Sequence, residues 1–187
     1  MIVVIAGGIG SGKSAVVEVL RNIGAKVVVA DEINRELLKD SDHLSEIGRA
    51  FPGIVENGTL NKKKLREIIF TSENERKRLN SISHPKIFKR INDLALSEGL
   101  VFVEVPLLEE TLGLIKFDKI CAVKAPIQVR AKRVSLRDNI SLESALKIIE
   151  VQVREEEIYN KADFIINNDG SLEYLRDQVI KMYEHVR

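Results

Sequence analysis

Residues 7–14 read Gly-Gly-Ile-Gly-Ser-Gly-Lys-Ser directly after the apolar run Ile2–Ala6, and two phosphate-binding patterns overlap there. Gly10-Ser11-Gly12-Lys13-Ser14-Ala15 fits G-x-G-x-x-A, a dinucleotide fingerprint, with Asp31 ending the second apolar run about where a ribose-binding acid would stand. Gly7, four residues, then Gly12-Lys13-Ser14 fits G-x-x-x-x-G-K-S, the loop that wraps a nucleoside triphosphate. Loop length separates the two. A dinucleotide turn puts its first glycine next to the strand and starts the helix almost at once, whereas Gly7, Gly8 and Ile9 intervene here. A longer loop aims several backbone N–H groups at phosphate, and the helix that follows adds its dipole. Lys13 then neutralises the β- and γ-phosphates and Ser14 holds Mg²⁺ through its hydroxyl, a pair for which a dinucleotide site has no need. A purely structural glycine turn is the remaining alternative. Average composition produces the triphosphate pattern by accident in about 1 chain in 100, and its position between an apolar strand and a helix lowers that further.

Further apolar runs follow at Lys26–Ala30, Leu100–Val105, Asp118–Val123 and Phe164–Ile166. They are rich in Val and Ile without polar alternation, as strands buried on both faces are, and amphipathic stretches separate them. Val16, Leu20 and Ile23 form one helical stripe, and Leu142, Ala145, Leu146, Ile149 and Val153 form another. In a last helix, Ser171 is the expected N-cap with Leu172, Leu175, Val179, Met182 and Val186 beneath it. The pattern predicts an α/β fold with a five-stranded parallel sheet flanked by helices. The interval from Asp31 to Glu98 exceeds one crossover helix and is expected to be an insertion. Phe51-Pro52-Gly53 and Asn57-Gly58 punctuate it, and helices are expected at Asn61–Phe70 and Ser72–Ser97, the second broken before Pro85.

Composition limits the function classes. At 187 residues the chain suits one domain, and 29 Lys plus Arg against 28 Asp plus Glu, a net charge of +1, gives no support to a general nucleic-acid or membrane-surface binder. One cysteine, Cys121, excludes an intrachain disulfide and a multi-cysteine zinc site. No apolar run approaches a membrane span, and the start at Met1 lacks signal-peptide features, so a cytoplasmic protein is expected. A guanine-nucleotide switch needs D-x-x-G as well as N-K-x-D, and the sequence has no D-x-x-G. A small-molecule kinase then leads over a switch or a large ATPase.

Several residues are candidates for running a phosphoryl transfer. Asp31, at the carboxyl end of the second strand, is placed to take an acceptor's proton; capping the next helix is its plainer role. Glu104 ends the third run as a Walker-B acid would and reaches Mg²⁺ through water, or is a strand-end carboxylate with no metal role. Arg133 and Arg137, with Arg130 one turn earlier, share a helix face and either close over the transferring phosphoryl group or form a solvated basic face. His84, before Pro85, is placed at the expected helix break as a hydrogen-bonder.

The whole chain resembles the dephospho-CoA kinase family. The similarity lies in the P-loop, Ala30-Asp31 with Arg35, Gly58-Thr59-Leu60 with Leu65 and Phe70, Leu79-Asn80, His84-Pro85, Val105-Pro106-Leu107-Leu108 with Glu110, Arg133 with Arg137-Asp138, and Gln152, Ala162-Asp163 and Asn168. The pattern departs at Val29, Ala15, Lys62 and Glu109. The resemblance implies an adenylate-kinase-like P-loop kinase domain with its core at about 1–30 and 99–187, a helical substrate-binding insertion at about 31–98 and a small lid at about 128–150. It implies ATP-dependent phosphorylation of the ribose 3′-hydroxyl of dephospho-CoA, with ATP and Mg²⁺ as cofactors and a monomer sufficient for the site. Asp31 is then the general base, Lys13, Arg133 and Arg137 act on the transferring phosphate, and Gly8, Gly10, Ser11, Gly12, Lys13, Ser14, Ala15 and Asn168 bind ATP. Asp31, Arg35, His84, Pro106, Leu107 and Glu110 meet the acceptor. Another small-molecule or nucleoside-phosphate kinase of the same fold, or a nucleotide-dependent binding protein, stands as the alternative.

Overall fold

A computed structural model describes residues 1–56, 58–105, 116–150 and 155–187. Pro106, Leu107, Leu108, Glu109, Glu110, Gln152 and Val153, singled out from the sequence, lie outside the described residues. The strands are β1 (Ile2–Ala6), β2 (Val27–Val29), β3 (Val55–Glu56), β4 (Thr59–Leu60), β5 (Val101–Glu104), β6 (Lys119–Lys124) and β7 (Phe164–Asn167). The helices are α1 (Lys13–Asn22), α2 (Ala30–Leu37), α3 (Ser41–Ala50), α4 (Lys62–Thr71), α5 (Glu73–Glu98), α6 (Ile127–Asp138), α7 (Leu142–Glu150), α8 (Glu155–Lys161) and α9 (Leu172–Val186).

Five strands form one parallel sheet in the order β2-β5-β1-β6-β7. In a dinucleotide-binding sheet of order 3-2-1-4-5-6 the first two strands are neighbours. Here β5 separates β1 from β2, with Glu104 in register with both Ile5 and Val29. The sheet therefore decides against the dinucleotide fold, in agreement with the loop length. Alternate residues of the strands (Val3, Ile5, Phe102, Cys121, Val123 and Ile166) join Val16, Val17 and Leu20 of α1 and Leu175, Val179, Met182 and Val186 of α9 in one core. Ser171 caps α9 by accepting the Tyr174 N–H, whereas Leu172, expected beneath the helix, is 79% exposed in its first turn.

Carboxylates tie the amino ends of two strands. Asp118 accepts the Ile2 N–H at 2.6 Å. Asp163 accepts the Ile120 N–H at 2.8 Å and pairs with Lys119 at 2.9 Å. On the edge strand β7, the Gln178 side chain accepts the Asn167 N–H and donates to the Asn167 carbonyl, both at 2.9 Å.

The chain divides into two compact units, Met1–Val29 with Leu94–Arg187, and Ala30–Asp93. In the second, Ile47, Phe51, Ile54 and Leu65 make a core of their own. Asp40 and Asn61 cap α3 and α4. An antiparallel pairing of β3 with β4, which the punctuation at Asn57-Gly58 had marked only as a turn, sits beside that core. His43 is fully buried, with Nε2 3.4 Å from Ser83 Oγ and no partner at Nδ1.

The expected break before Pro85 does not occur: α5 runs unbroken from Glu73 to Glu98, and His84 stands within it. Proline removes one N–H and crowds the carbonyl four residues back, but both Pro85 and Ser81 lie on the exposed side, where water can satisfy that carbonyl. Ser83, Ile87, Phe88, Ile91 and Ala95 are buried along the other face, so burial continues through the proline and holds the helix together.

Candidate active site

The loop between β1 and α1 is shaped by close approaches that only glycine permits. At Gly12, with φ +98°, a Cβ would stand 1.8 Å from Asn168 Nδ2. At Gly10, with φ +76°, it would stand 2.8 Å from the Arg130 carbonyl. The loop thus lies against the backbone of α6 on one side and against Asn168, just beyond β7, on the other. Ile9 packs on a small core made by Ala131, Val134, Ala145 and Ile149 of α6 and α7.

The carbonyls of the loop face donors. Arg130 Nε donates to the Ile9 carbonyl at 2.9 Å. Arg133 Nη1 donates to the Gly10 and Ser11 carbonyls at 3.3 Å each, and its Nη2 to the Asn168 carbonyl at 3.1 Å. Asn168 Nδ2 donates to the Ser11 carbonyl at 2.8 Å. Lys13 Nζ donates to the Gly7 carbonyl at 2.7 Å, so its ammonium folds back over the loop. Three cationic side chains, Lys13, Arg130 and Arg133, consequently gather on one loop. With the N-terminus of α1 at Lys13, this concentrates positive potential where an anion would sit. Ser14 is exposed in the first turn of α1, and Ser11 is fully buried with no partner for its Oγ.

The sheet carries the loop, Glu104, Lys124 and Asn167 to one edge, because all five strands are parallel. Glu104 is half-buried at the end of β5. Arg137 is exposed and forks onto its neighbour Asp138 with two bonds of 2.7 Å. That pairing holds the Asp138 carboxyl below the usual carboxylate range. Of the three arginines selected on this helix, Arg130 and Arg133 bond to the loop, whereas Arg137 bonds to Asp138. In the second unit, Asp31 is exposed in the first turn of α2, two residues after β2 ends. Arg35 bends back to donate to the Asp31 carbonyl at 3.3 Å. His84 meets the Phe88 ring edge-on at 5.3 Å. The spacing of Arg130 from Arg133 put it on the right helix face but gave no sign of its bond to Ile9, 121 residues away.

Any Mg²⁺ here must suit a sparse set of protein oxygens. Among the described residues no group of three or more His, Cys, Asp or Glu could hold a metal. The exposed Ser14 hydroxyl at the mouth of the loop and the Glu104 carboxylate fit an ion that keeps most of its coordination for phosphate oxygens and water, as Mg²⁺ does.

A family model described as dephospho-CoA kinase matches residues 1–174. A dephospho-CoA kinase of Fusobacterium nucleatum is 37% identical over 192 residues, covering 100% of this chain and 98% of its own. A crystal structure from Thermus thermophilus matches with a TM-score of 0.84 at 32% identity, covering 100% of this chain and 97% of that one. The dephospho-CoA kinase from Campylobacter jejuni matches with a TM-score of 0.66 at 30% identity, covering 99% and 96%. With a triphosphate-type loop on a five-stranded parallel sheet and this likeness over its full length, the chain belongs to the dephospho-CoA kinase family, the kinases of the final step of coenzyme A biosynthesis.

Proposed function

We propose that this enzyme transfers the γ-phosphoryl group of ATP to the ribose 3′-hydroxyl of dephospho-CoA, with the loop of residues 7–14 holding the triphosphate. The observation that carries this assignment is the loop itself, whose carbonyls are taken up by Arg130, Arg133 and Asn168 while Lys13 lies over it. Lys13 exchanges its bond to the Gly7 carbonyl for the β- and γ-phosphate oxygens, anionic acceptors in place of a neutral one. Ser14, and Glu104 through water, hold Mg²⁺, which when bound neutralises charge on the phosphates.

Asp31 receives the proton of the attacking hydroxyl. Its exposed carboxylate directly after β2 supports that role, and Arg35, His84, Pro106, Leu107 and Glu110 are assigned to acceptor binding by the family resemblance. Arg133 and Arg137 are assigned to the developing charge on the phosphoryl group, Arg137 by releasing Asp138. Residues 128–150 act as the lid that keeps water from the phosphoryl group, and the site is complete in one cytoplasmic chain.

The test is a purified-enzyme assay with ATP, Mg²⁺ and separate acceptors: dephospho-CoA, adenosine, AMP and CMP. Dephospho-CoA is expected to be preferred and to yield a 3′-phosphate; preferential phosphorylation of a nucleoside monophosphate would overturn the acceptor. Asp31→Asn is expected to lower kcat about 100-fold or more, as loss of a general base does, with ATP affinity unchanged. Undiminished turnover would remove Asp31 from that role.

A further inference from the structure

We infer that Arg130 is a positioning residue for ATP binding, fixing the tip of the P-loop from behind. A trans peptide holds the C=O of one residue and the N–H of the next in one plane, pointing in opposite directions. A donor bound to a loop carbonyl therefore also aims the following N–H to the other side. Arg130 Nε, donating to the Ile9 carbonyl at 2.9 Å, sets the plane that carries the Gly10 N–H. Asn168 Nδ2, donating to the Ser11 carbonyl at 2.8 Å, does the same for the Gly12 N–H. The plane between them is held by the Ser11 N–H bonding to the Gly8 carbonyl at 3.1 Å, with the longer Arg133 bond at 3.3 Å behind it.

Of these braces, Arg130 is the most deeply buried. Its side chain is 2% exposed, which is costly for a guanidinium unless its donors are used. Its backbone is what the loop touches at Gly10, and its neighbours Ala131 and Val134 form the apolar seat for Ile9. Helix α6 thus grips both the side chain and the carbonyl of Ile9. Without the Arg130 bond, peptide 9–10 loses this restraint, and only the fraction of molecules with the Gly10 N–H turned inward binds triphosphate at full strength. Apparent affinity falls in proportion to that fraction.

The inference rests on the assignment of the loop to ATP, and the experiment separates the two. Arg130→Met keeps the stem and removes the donors; Arg130→Lys keeps the charge but replaces the planar fork with a single point donor. With ATP and dephospho-CoA varied independently, Arg130→Met is expected to raise KM for ATP and Kd for ADP tenfold or more. Arg130→Lys is expected to raise both at least threefold. KM for dephospho-CoA is expected to move less than twofold in each. A merely structural arginine would lower the melting temperature and leave KM for ATP unchanged. Unchanged ATP and ADP constants in a folded variant overturn the inference, and if Arg130→Met does not fold, Arg130→Lys decides by the same criterion. Lys13→Ala in the same assay tests the loop: retained ATP affinity there defeats the assignment of the loop to ATP, whereas retained affinity in the Arg130 variants alone defeats only the positioning role.

Discussion

Gly12→Ala and Gly24→Ala make a matched pair that isolates one contact. Both glycines flank α1, with φ of +98° and +82°, so each alanine pays left-handed backbone strain of about 1–2 kcal/mol. Their surroundings differ completely. A Cβ at Gly24 meets nothing within 4 Å, whereas at Gly12 it stands 1.8 Å from Asn168 Nδ2 and 3.1 Å from Asn168 Cγ. Asn168 must leave, giving up its 2.8 Å bond to the Ser11 carbonyl while 7% exposed. An orphaned buried amide costs about 1–3 kcal/mol. Gly12→Ala is then expected to cost about 2–5 kcal/mol against about 1–2 for Gly24→Ala. At 2–4 °C per kcal/mol for a chain of this size, the excess is about 2–12 °C in melting temperature. The chain has no tryptophan, so far-ultraviolet circular dichroism is the suitable probe. In an Asn168→Ala background the excess should disappear, which a double-mutant cycle measures directly. Equal destabilisation by the two alanines in the unmodified background would refute the contact between the loop and Asn168.

Three further outcomes concern titrating or reactive groups. Burial, then the Lys86 charge, holds His43 below its ordinary value, while Glu46 and Asp40 pull it up. The folded chain therefore binds fewer protons than the unfolded one below about pH 6.5, and stability, complete above that value, declines as pH falls toward the folded pKa. The urea midpoint of the parent should drop more than that of His43→Gln between pH 7.5 and 5.5; parallel midpoints would contradict this. The Lys119 hydrogen bond, then the Ile120 N–H, holds the Asp163 carboxyl below the usual range, so its contribution is present above about pH 3.9 and lost as pH falls through the folded value. Asp163→Asn should cost about 1 kcal/mol at pH 7, kept small by solvent screening, with the gap to the parent narrowing at pH 3.5; a constant gap would place the effect elsewhere. Burial pushes the Cys121 thiol up to about 12. It should ignore a thiol reagent at pH 8 until urea unfolds the chain, and rapid labelling of the native protein would contradict the burial of Cys121 on β6 between β1 and β7.

What the sequence makes legible is what depends on near neighbours. The five Val- and Ile-rich runs are the five parallel strands, with ends shifted by a residue or two. Lys26–Ala30 shortens to Val27–Val29 because Ala30 already belongs to α2. Residues 7–15 carry both patterns openly, and the loop length favours the one that the strand order then selects. Pro85 misled because the rule for proline is local, whereas the burial that carries α5 past it comes from residues up to ten positions onward. The bond from Arg130 to Ile9 had no local signal at all. It follows from the crossing of α6 behind the loop, a consequence of strand order rather than of spacing.

Gln178 gives the edge strand β7 a property that its hydrogen bonds alone do not name. By accepting from and donating to the same residue, its amide imitates one rung of a sixth strand. A sheet edge is an open template on which another chain can add, and a side chain filling one rung interrupts that template. At Asn167 the edge is closed from within the fold, so growth of the sheet through this position requires Gln178 to be displaced first.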